Sequence, residues 1–296
     1  MDNKDFLSSL SSVQRAELTQ RSNIKGLIHL MGHMGMIALC TSMILLEVLY
    51  WQALVLVQGV LLVFLFTLLH ETTHKTPFRT AWINHLVGHF CGFILFIPSN
   101  WFRYFHMAHH RFTQVPGFDP EIEHPKPENW VQYMIHISGV PIWVSQAKTI
   151  GSHAFQQTTE SFVPLGQRSK VKLEAQIYLI VYLCFFGASI GLAKTTLIYV
   201  WLLPIILGQP FLRLYLLAEH SRCPMVTNIL ANTRTTLTNR IVCAMAWNMP
   251  YHTEHHTFPS VPFHKLRALH KLLKPHLQVT SKGYLAFNKG YIEEEL

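Results

Sequence analysis

Three groups of histidine stand at spacings that suit a metal. The third group is His252-Thr253-Glu254-His255-His256, inside the run Trp247 to His256, and the second is His106-Met107-Ala108-His109-His110. Both place imidazoles at i, i+3 and i+4, which share one face of a helix. The first group, His70-Glu71-Thr72-Thr73-His74, has the pair at i and i+4. One such group is weak evidence, because histidine pairs on helices are common. Three of them in 296 residues are strong evidence. Together they supply eight imidazoles, more than one tetrahedral zinc can use, so two metal ions with several histidines each is the simpler account. Neutral imidazole suits iron, zinc, copper and nickel alike, so spacing does not name the metal. Each ligand also needs its other ring nitrogen held, and Glu71, Asp119, Glu219 and Glu254 are near enough in sequence to serve.

Two other chemistries compete for these residues. His70-Glu71-Thr72-Thr73-His74 matches H-E-x-x-H, the zinc protease pattern in which the glutamate is the general base. That reading leaves six histidines of the groups, and His220, without a purpose. A carboxylate-bridged metal pair needs Glu-x-x-His on two helices. Glu71/His74 and Glu121/His124 have that spacing, but the second pair lies between Pro120 and Pro125, a poor place for a helix.

The elements that position these groups are apolar. Half the residues are hydrophobic and 14% are charged, against about 25% charged in soluble domains. Length allows one or two domains, and the composition points to a membrane protein. The net charge of +8 then fits cytoplasmic loops and lipid headgroups; no aromatic-interleaved basic module supports nucleic-acid binding.

Four membrane spans are expected, over 27–46, 52–69, 175–193 and 195–217, each close to the ~20 residues that cross a bilayer. The second ends directly at His70, and His220 lies just beyond the fourth, which Pro204, Gly208 and Pro210 should kink. Residues 82–98 are apolar but hold Asn84, His85 and His89 and stop at Pro98. Were they to cross, the second group would lie opposite the first, so a re-entrant or buried segment is expected. Residues 130–150 look like an interfacial helix pair broken at Gly139 and Pro141, and 151–172 like a polar, basic linker. The pairs His29/His33 and His85/His89 also have i, i+4 spacing, with a structural role favoured over a ligand role.

Apart from Lys194, the lysines and arginines fall on one side of this arrangement, with both termini. By the positive-inside rule that side is cytosolic, and it carries all three groups and His220. Residues 1–25 fit either a short interfacial helix or a polar tail, and are not a cleavable signal peptide. Leu266, Leu269, Leu272 and Leu273, interleaved with Lys265, Arg267, Lys271 and Lys274, form a basic amphipathic helix against the membrane or the rest of the protein. His264, His270 and His276 are expected at its surface. None of Cys40, Cys91, Cys184, Cys223 and Cys243 forms a C-x-x-C pair.

The order of the three histidine boxes between these spans resembles the membrane fatty acid desaturase superfamily. The most specific stretches are His106 to Arg111, Asp119-Pro120-Glu121, and Trp247 to His256 followed by Thr257-Phe258-Pro259-Ser260-Val261-Pro262-Phe263. The resemblance runs from about His70 to His276. It implies an all-α integral membrane protein: one domain over 1–296, four transmembrane helices, and a cytosolic helical cap from 70–174 and 218–296 holding a di-iron site. Carried over residue by residue, the ligands are His70, His74, His106, His109, His110, His252, His255 and His256, with His220 completing the set. The implied activity is O2-dependent desaturation of a fatty acid or acyl lipid by two iron ions, with hydroxylation of an alkyl or lipid substrate as the alternative. Lys75 after the first box also resembles membrane alkane hydroxylases. With neither a cytochrome b5 domain nor a dinucleotide-binding glycine fingerprint in the chain, electrons are expected from a separate donor such as a ferredoxin or cytochrome b5.

Overall fold

The computed structural model describes residues 2–123 and 125–296. His124, of the Glu121/His124 pair, lies outside the described residues.

Two short helices open the chain, α1 (Asn3–Ser9) and α2 (Ser12–Leu18), each with a capping box. Phe6, Leu10 and Leu18 are buried, so this segment is a docked helical pair rather than a tail. The long helix α3 (Asn23–Leu45) packs through His33, Ile37, Cys40 and Ile44, positions on one helical face. Helices α4 (Trp51–Val63) and α5 (Leu65–Thr73) run on through Phe64 as a single rod ending at the first histidine box.

Helix α6 (Ala81–Leu95) is followed by α7 (Ser99–Phe112) after a bend of 98°. Phe96 makes the bend in a left-handed conformation, φ 59°, and Pro98 precedes α7. The fifteen residues of α6 rise only about 22 Å, less than the ~30 Å apolar core of a bilayer. Helices α8 (Trp130–Ser138) and α9 (Val140–Phe155) part at Gly139, φ 72°. Pro141 does not break the pair; it lies in the first turn of α9, where its missing N–H costs nothing.

Helix α10 (Arg168–Gly191) starts seven residues before the expected third span. Its polar first turns are held by protein: Val171 and Ala175 are fully buried, and the Glu174 carboxylate pairs with His89 and accepts from the Asn100 backbone N–H. A π-helical turn (Ile198–Leu202) leads into α11 (Leu203–His220). Pro204 sits in its first turn and Pro210 inside it, and His220 is its last residue. Four helical runs are long and apolar enough to cross a membrane: Ser12–Leu45, Trp51–Thr73, Leu165–Gly191 and Ile198–His220.

The chain closes with α12 (Ile229–Asn232), α13 (Arg240–Met245), α14 (His252–Thr257), α15 (Leu266–Leu273) and α16 (Tyr284–Glu295). Strand pairing among the described residues is one parallel ladder, β1 (Thr235–Thr236) with β2 (Thr280–Ser281). Leu266, Leu269 and Leu273 on α15 are fully buried, so the basic amphipathic helix lies on the protein.

Candidate metal centre

Four helix ends converge. The rod α4–α5 delivers His70 and His74, α7 delivers His106, His109 and His110, α11 delivers His220, and α14 delivers His252, His255 and His256. Ring nitrogens of His70, His74, His106, His110 and His255 lie within 4.8 Å of one another, and so do those of His109, His220 and His256. His252 belongs to neither group by that measure, but its Nε2 is 3.0 Å from the Nε2 of His220. The sequence boxes are therefore not the spatial units. The larger group draws on all three boxes, and the smaller combines one residue each from α7, α11 and α14.

The Nε2 atoms face one another: His74 and His106 at 2.9 Å, His110 and His255 at 3.2 Å, His109 and His220 at 3.2 Å. In the smaller group the other ring nitrogens fix the tautomer. His109 Nδ1 is 2.9 Å from Asp119 Oδ1, and His220 Nδ1 is 3.3 Å from the Asn232 carbonyl oxygen. His256 Nδ1 is 3.2 Å from Thr113 Oγ1, whose own hydrogen goes to the His109 carbonyl. Each of these oxygens accepts, so each Nδ1 carries the ring proton and each Nε2 presents a bare lone pair. Bare lone pairs about 3 Å apart repel without a cation between them.

The larger group is less supported by the protein. Both ring nitrogens of His70 are buried without a partner, as are the Nδ1 atoms of His110 and His255. Buried polar atoms are costly to leave unpaired. Burial first, and then the neighbouring imidazoles, hold His74, His252, His255 and His256 well below the ordinary histidine range, which keeps them neutral. Neutral, convergent, desolvated imidazoles fit divalent transition metals.

The carboxylates divide. Asp119 holds a histidine of the smaller group, and Glu219 Oε1 is a looser 3.5 Å from His252 Nδ1. Glu71 and Glu254 point elsewhere. Glu71 is fully buried, accepting from Thr76 Oγ1 at 2.8 Å and from the Phe263 backbone N–H at 2.7 Å. Glu254 accepts from Thr235 Oγ1 at 2.6 Å and bonds His270 Nδ1. Glu71 is thus tied to structure and is not free to act as the base of a zinc protease. His270, expected at the surface, is instead largely buried against Glu254. Thr113, Asn232 and His270 escaped sequence reading because their roles depend on contacts across the fold. Glu121 was visible beside Asp119, but its approach to His109 Nε2, 3.4 Å, was not. Burial pushes the Glu121 carboxyl up, but positive charge in the histidine cluster, of the kind a bound metal would supply, and Lys126 outweigh it and bring it down to about 2.

The remaining histidine pairs stay outside both groups. His33 Nε2 is 2.8 Å from the Leu61 carbonyl and its Nδ1 accepts from Trp247 Nε1, while His89 pairs with Glu174. His85 is exposed.

A cavity of about 1040 Å³ reaches the centre. Phe66, Phe96, Phe102, Phe105, Ile142 and Val144 line its apolar part, His70, His106, His109 and His252 reach it from the centre, and Glu121, Lys126, Lys148 and Arg213 are among its charged lining.

Residues 48–288, which enclose every histidine of the centre, match the family described as fatty acid desaturase. The chain belongs to that family. Among relatives, a sphingolipid delta(4)-desaturase DES1-like protein of Arabidopsis thaliana is 26% identical over 212 residues, covering 70% of this chain and 58% of that protein. A protein of the same description from Oryza sativa subsp. japonica is 26% identical over 228 residues, 76% of this chain and 64% of its own length. The chain thus spans less than two thirds of these plant relatives. Dihydrorhizobitoxine desaturase of Bradyrhizobium elkanii is 26% identical over 293 residues, with 90% of this chain and 80% of that protein covered. Within the desaturase family match, all nine histidines sit on the four helix ends described above.

Proposed function

We propose that the protein is an O2-dependent membrane desaturase of an acyl lipid or similar long alkyl substrate, using two iron ions and electrons from a separate donor protein. The observation that carries this reading is the cavity: an aromatic and aliphatic wall, with Phe66, Phe96, Phe102 and Phe105, shares one hollow with four histidines of the centre. The names of its relatives agree on desaturation and differ in substrate, which favours an alkene product over an alcohol.

His70, His74, His106, His110 and His255 would hold one iron, and His109, His220 and His256 the other, with His252 beside His220. Bound iron would supply the activation of O2 needed to remove hydrogen from an unactivated methylene. The balance is one CH2–CH2 unit, one O2, two electrons and two protons giving one CH=CH unit and two waters. The chain's own part is placement and exclusion. The aromatic walls at Phe66, Phe102 and Phe105 desolvate the alkyl chain. Asp119, Thr113 and Asn232 hold the imidazoles of His109, His256 and His220 in place. Glu121, in the cavity wall and ionised, can accept a hydrogen bond from water beside His109.

Along the four apolar runs, residues 27–46, 52–69, 175–193 and 195–217 would cross the membrane, with both termini, the 70–174 segment and the 218–296 segment on the cytosolic side. Cysteine labelling that put residues in 100–172 opposite the C-terminus would refute this arrangement. Lipid profiling of cells expressing the protein tests the activity. New double bonds are expected; new hydroxyl groups with no new double bonds would replace desaturation by hydroxylation.

A further inference from the structure

A second cavity, about 450 Å³, lies where the start of α3 meets α13 and α15, and it is separate from the apolar one. Its cationic walls are Lys25, Arg240 and Arg267, with His29 and His264, and no acidic residue lines it. Among the described residues no carboxylate comes within 4 Å of those three cations. Three like charges around one hollow repel, and an anion in it would relieve that repulsion. Neither ring nitrogen of His264 has a partner. Burial, then Lys25 and Lys265, hold its imidazole down to about 4, so it offers a neutral N–H donor among the cations.

The floor of this hollow is rigid. His29 Nε2 lies 2.7 Å from the Ala244 carbonyl oxygen, and its ring packs 4.4 Å from Trp247 and 5.0 Å from Phe263. Asn248 Nδ2 donates to the Phe263 carbonyl at 3.0 Å.

An apolar track leaves the hollow along α3. Ile28, Gly32, Gly35 and Leu39 follow one another at i, i+4, i+7 and i+11 on a single face. Ile28 and Leu39 are 66% and 61% exposed, and a Cβ on Gly32 or Gly35 would meet nothing within 4 Å. The track is therefore a shallow furrow with two gaps in its floor, on the face away from the buried His33, Ile37 and Cys40. Beside the hollow, Ile241 on α13 is 79% exposed next to Arg240.

We propose that this is a binding site for an anionic phospholipid, with the phosphate in the Lys25–Arg240–Arg267 hollow and one acyl chain in the Gly32–Gly35 furrow. Cationic pockets where spans meet the cytosolic surface suit anionic headgroups. The furrow selects a lipid over a free phosphate, which needs only the hollow. Because Asn248 and Phe263 lie on either side of the third histidine box and both line the hollow, an occupied site bears on the chain at both ends of that box. The proposal rests on the membrane placement above, and on neither the iron nor the reaction.

The test is native mass spectrometry of the full-length holoprotein released from bilayers of phosphatidylglycerol and phosphatidylcholine. Phosphatidylglycerol should be retained selectively. The combined Lys25→Gln, Arg240→Gln and Arg267→Gln variant should lower that retention on the order of 100-fold, at about 1 kcal/mol per cation. Gly32→Leu with Gly35→Leu should also lower retention; both positions are open, and leucine favours the helix. Equal retention of the two lipids by the wild type would overturn the site. So would protection by inorganic phosphate equal to that by phosphatidylglycerol, or a lipid-independent dimer closed by the two leucine substitutions. Wild-type protein released from membranes by alkaline carbonate would overturn the membrane placement and this site together. Loss of lipid selectivity from embedded, iron-loaded protein would overturn the site alone.

Discussion

Gly59 and Gly208 meet back to back: a Cβ on Gly208 would stand 2.3 Å from the Gly59 carbonyl oxygen, and one on Gly59 would stand 2.1 Å from that of Pro204. Backbone-to-backbone approach of this kind needs glycine on both sides. It fixes where the second and fourth apolar runs, Trp51–Thr73 and Ile198–His220, cross each other. His70 is eleven residues beyond Gly59 and His220 twelve beyond Gly208, about 17 and 18 Å at helical rise. The crossing thus brings both imidazoles to one level, although the sequence between them is unrelated.

Gly208→Leu should therefore damage the metal centre from a distance. The side chain has no space without separating the two helices, an overpacking cost of about 1–3 kcal/mol. A lower thermal midpoint together with reduced iron in the surviving folded protein is expected. Wild-type values for both would show that the crossing does not set the level of His70 and His220.

Asp119→Asn tests the tautomer argument. The carboxylate accepts from the His109 ring and from the backbone N–H groups of Gln114 and Glu121. An amide keeps the shape but weakens the hold on His109 Nδ1–H. Loss of such a partner costs about 10- to 100-fold in metal affinity or activity. Iron affinity, measured by competition with a chelator, should fall by that amount while the helical signal stays intact. Unchanged affinity would leave Asp119 as a loop-shaping residue only.

The long apolar helices and the box helices were legible because apolar length and helical spacing are local properties. The first box is an example: His70 and His74 need only their own helix to share a face. How the boxes mix was not legible. His255 joins His110 while its neighbour His256 joins His109 and His220, a division set by how α14 meets α7 and α11. Glu71 is the sharpest case. Its sequence context offered two roles, partner to a ligand's second ring nitrogen or, less favoured, protease base, and only the chain's return at Phe263, 192 positions away, shows it accepting from a backbone N–H instead. His270 was misplaced for the same reason, since Glu254 reaches it across a turn. Helix α10 begins before the expected span because Glu174, polar in sequence, is buried with partners at His89 and Asn100.

Glu71→Gln separates those roles. A glutamine keeps an oxygen for the Phe263 N–H and places an amide near Thr76 Oγ1, whose hydroxyl can accept. Activity within about tenfold of wild type is expected, whereas loss of a general base costs typically 10²- to 10⁴-fold. Glu71→Ala strands the buried Phe263 N–H, while the Thr76 hydroxyl keeps the Glu71 carbonyl as acceptor, and should lower stability by about 1–3 kcal/mol. Abolished turnover in a stable, iron-loaded Glu71→Gln protein would return the carboxylate to the chemistry.

His220 carries the most weight, because it lies outside every box. A histidine at the end of a helix can simply sit in the field of the C-terminal carbonyls. In that role His220→Ala would leave turnover and metal largely intact. The geometry argues otherwise: its Nε2 is 3.2 Å from that of His109 and 3.0 Å from that of His252, and its Nδ1 faces the Asn232 carbonyl. Removing it leaves the smaller group with His109 and His256 alone, fewer imidazoles than a stable site requires. Metal analysis of wild-type holoprotein should give about two irons per chain, since the histidines exceed one ion's capacity. His220→Ala should retain about one and form no product, with its helical content preserved. His276→Ala is the control: its ring lies 6.0 Å from that of Phe6, outside both groups, and it should keep both irons and full turnover. Two irons and normal product in the His220→Ala protein would remove His220 from the centre, and one zinc with no iron in the wild type would remove the di-iron reading altogether.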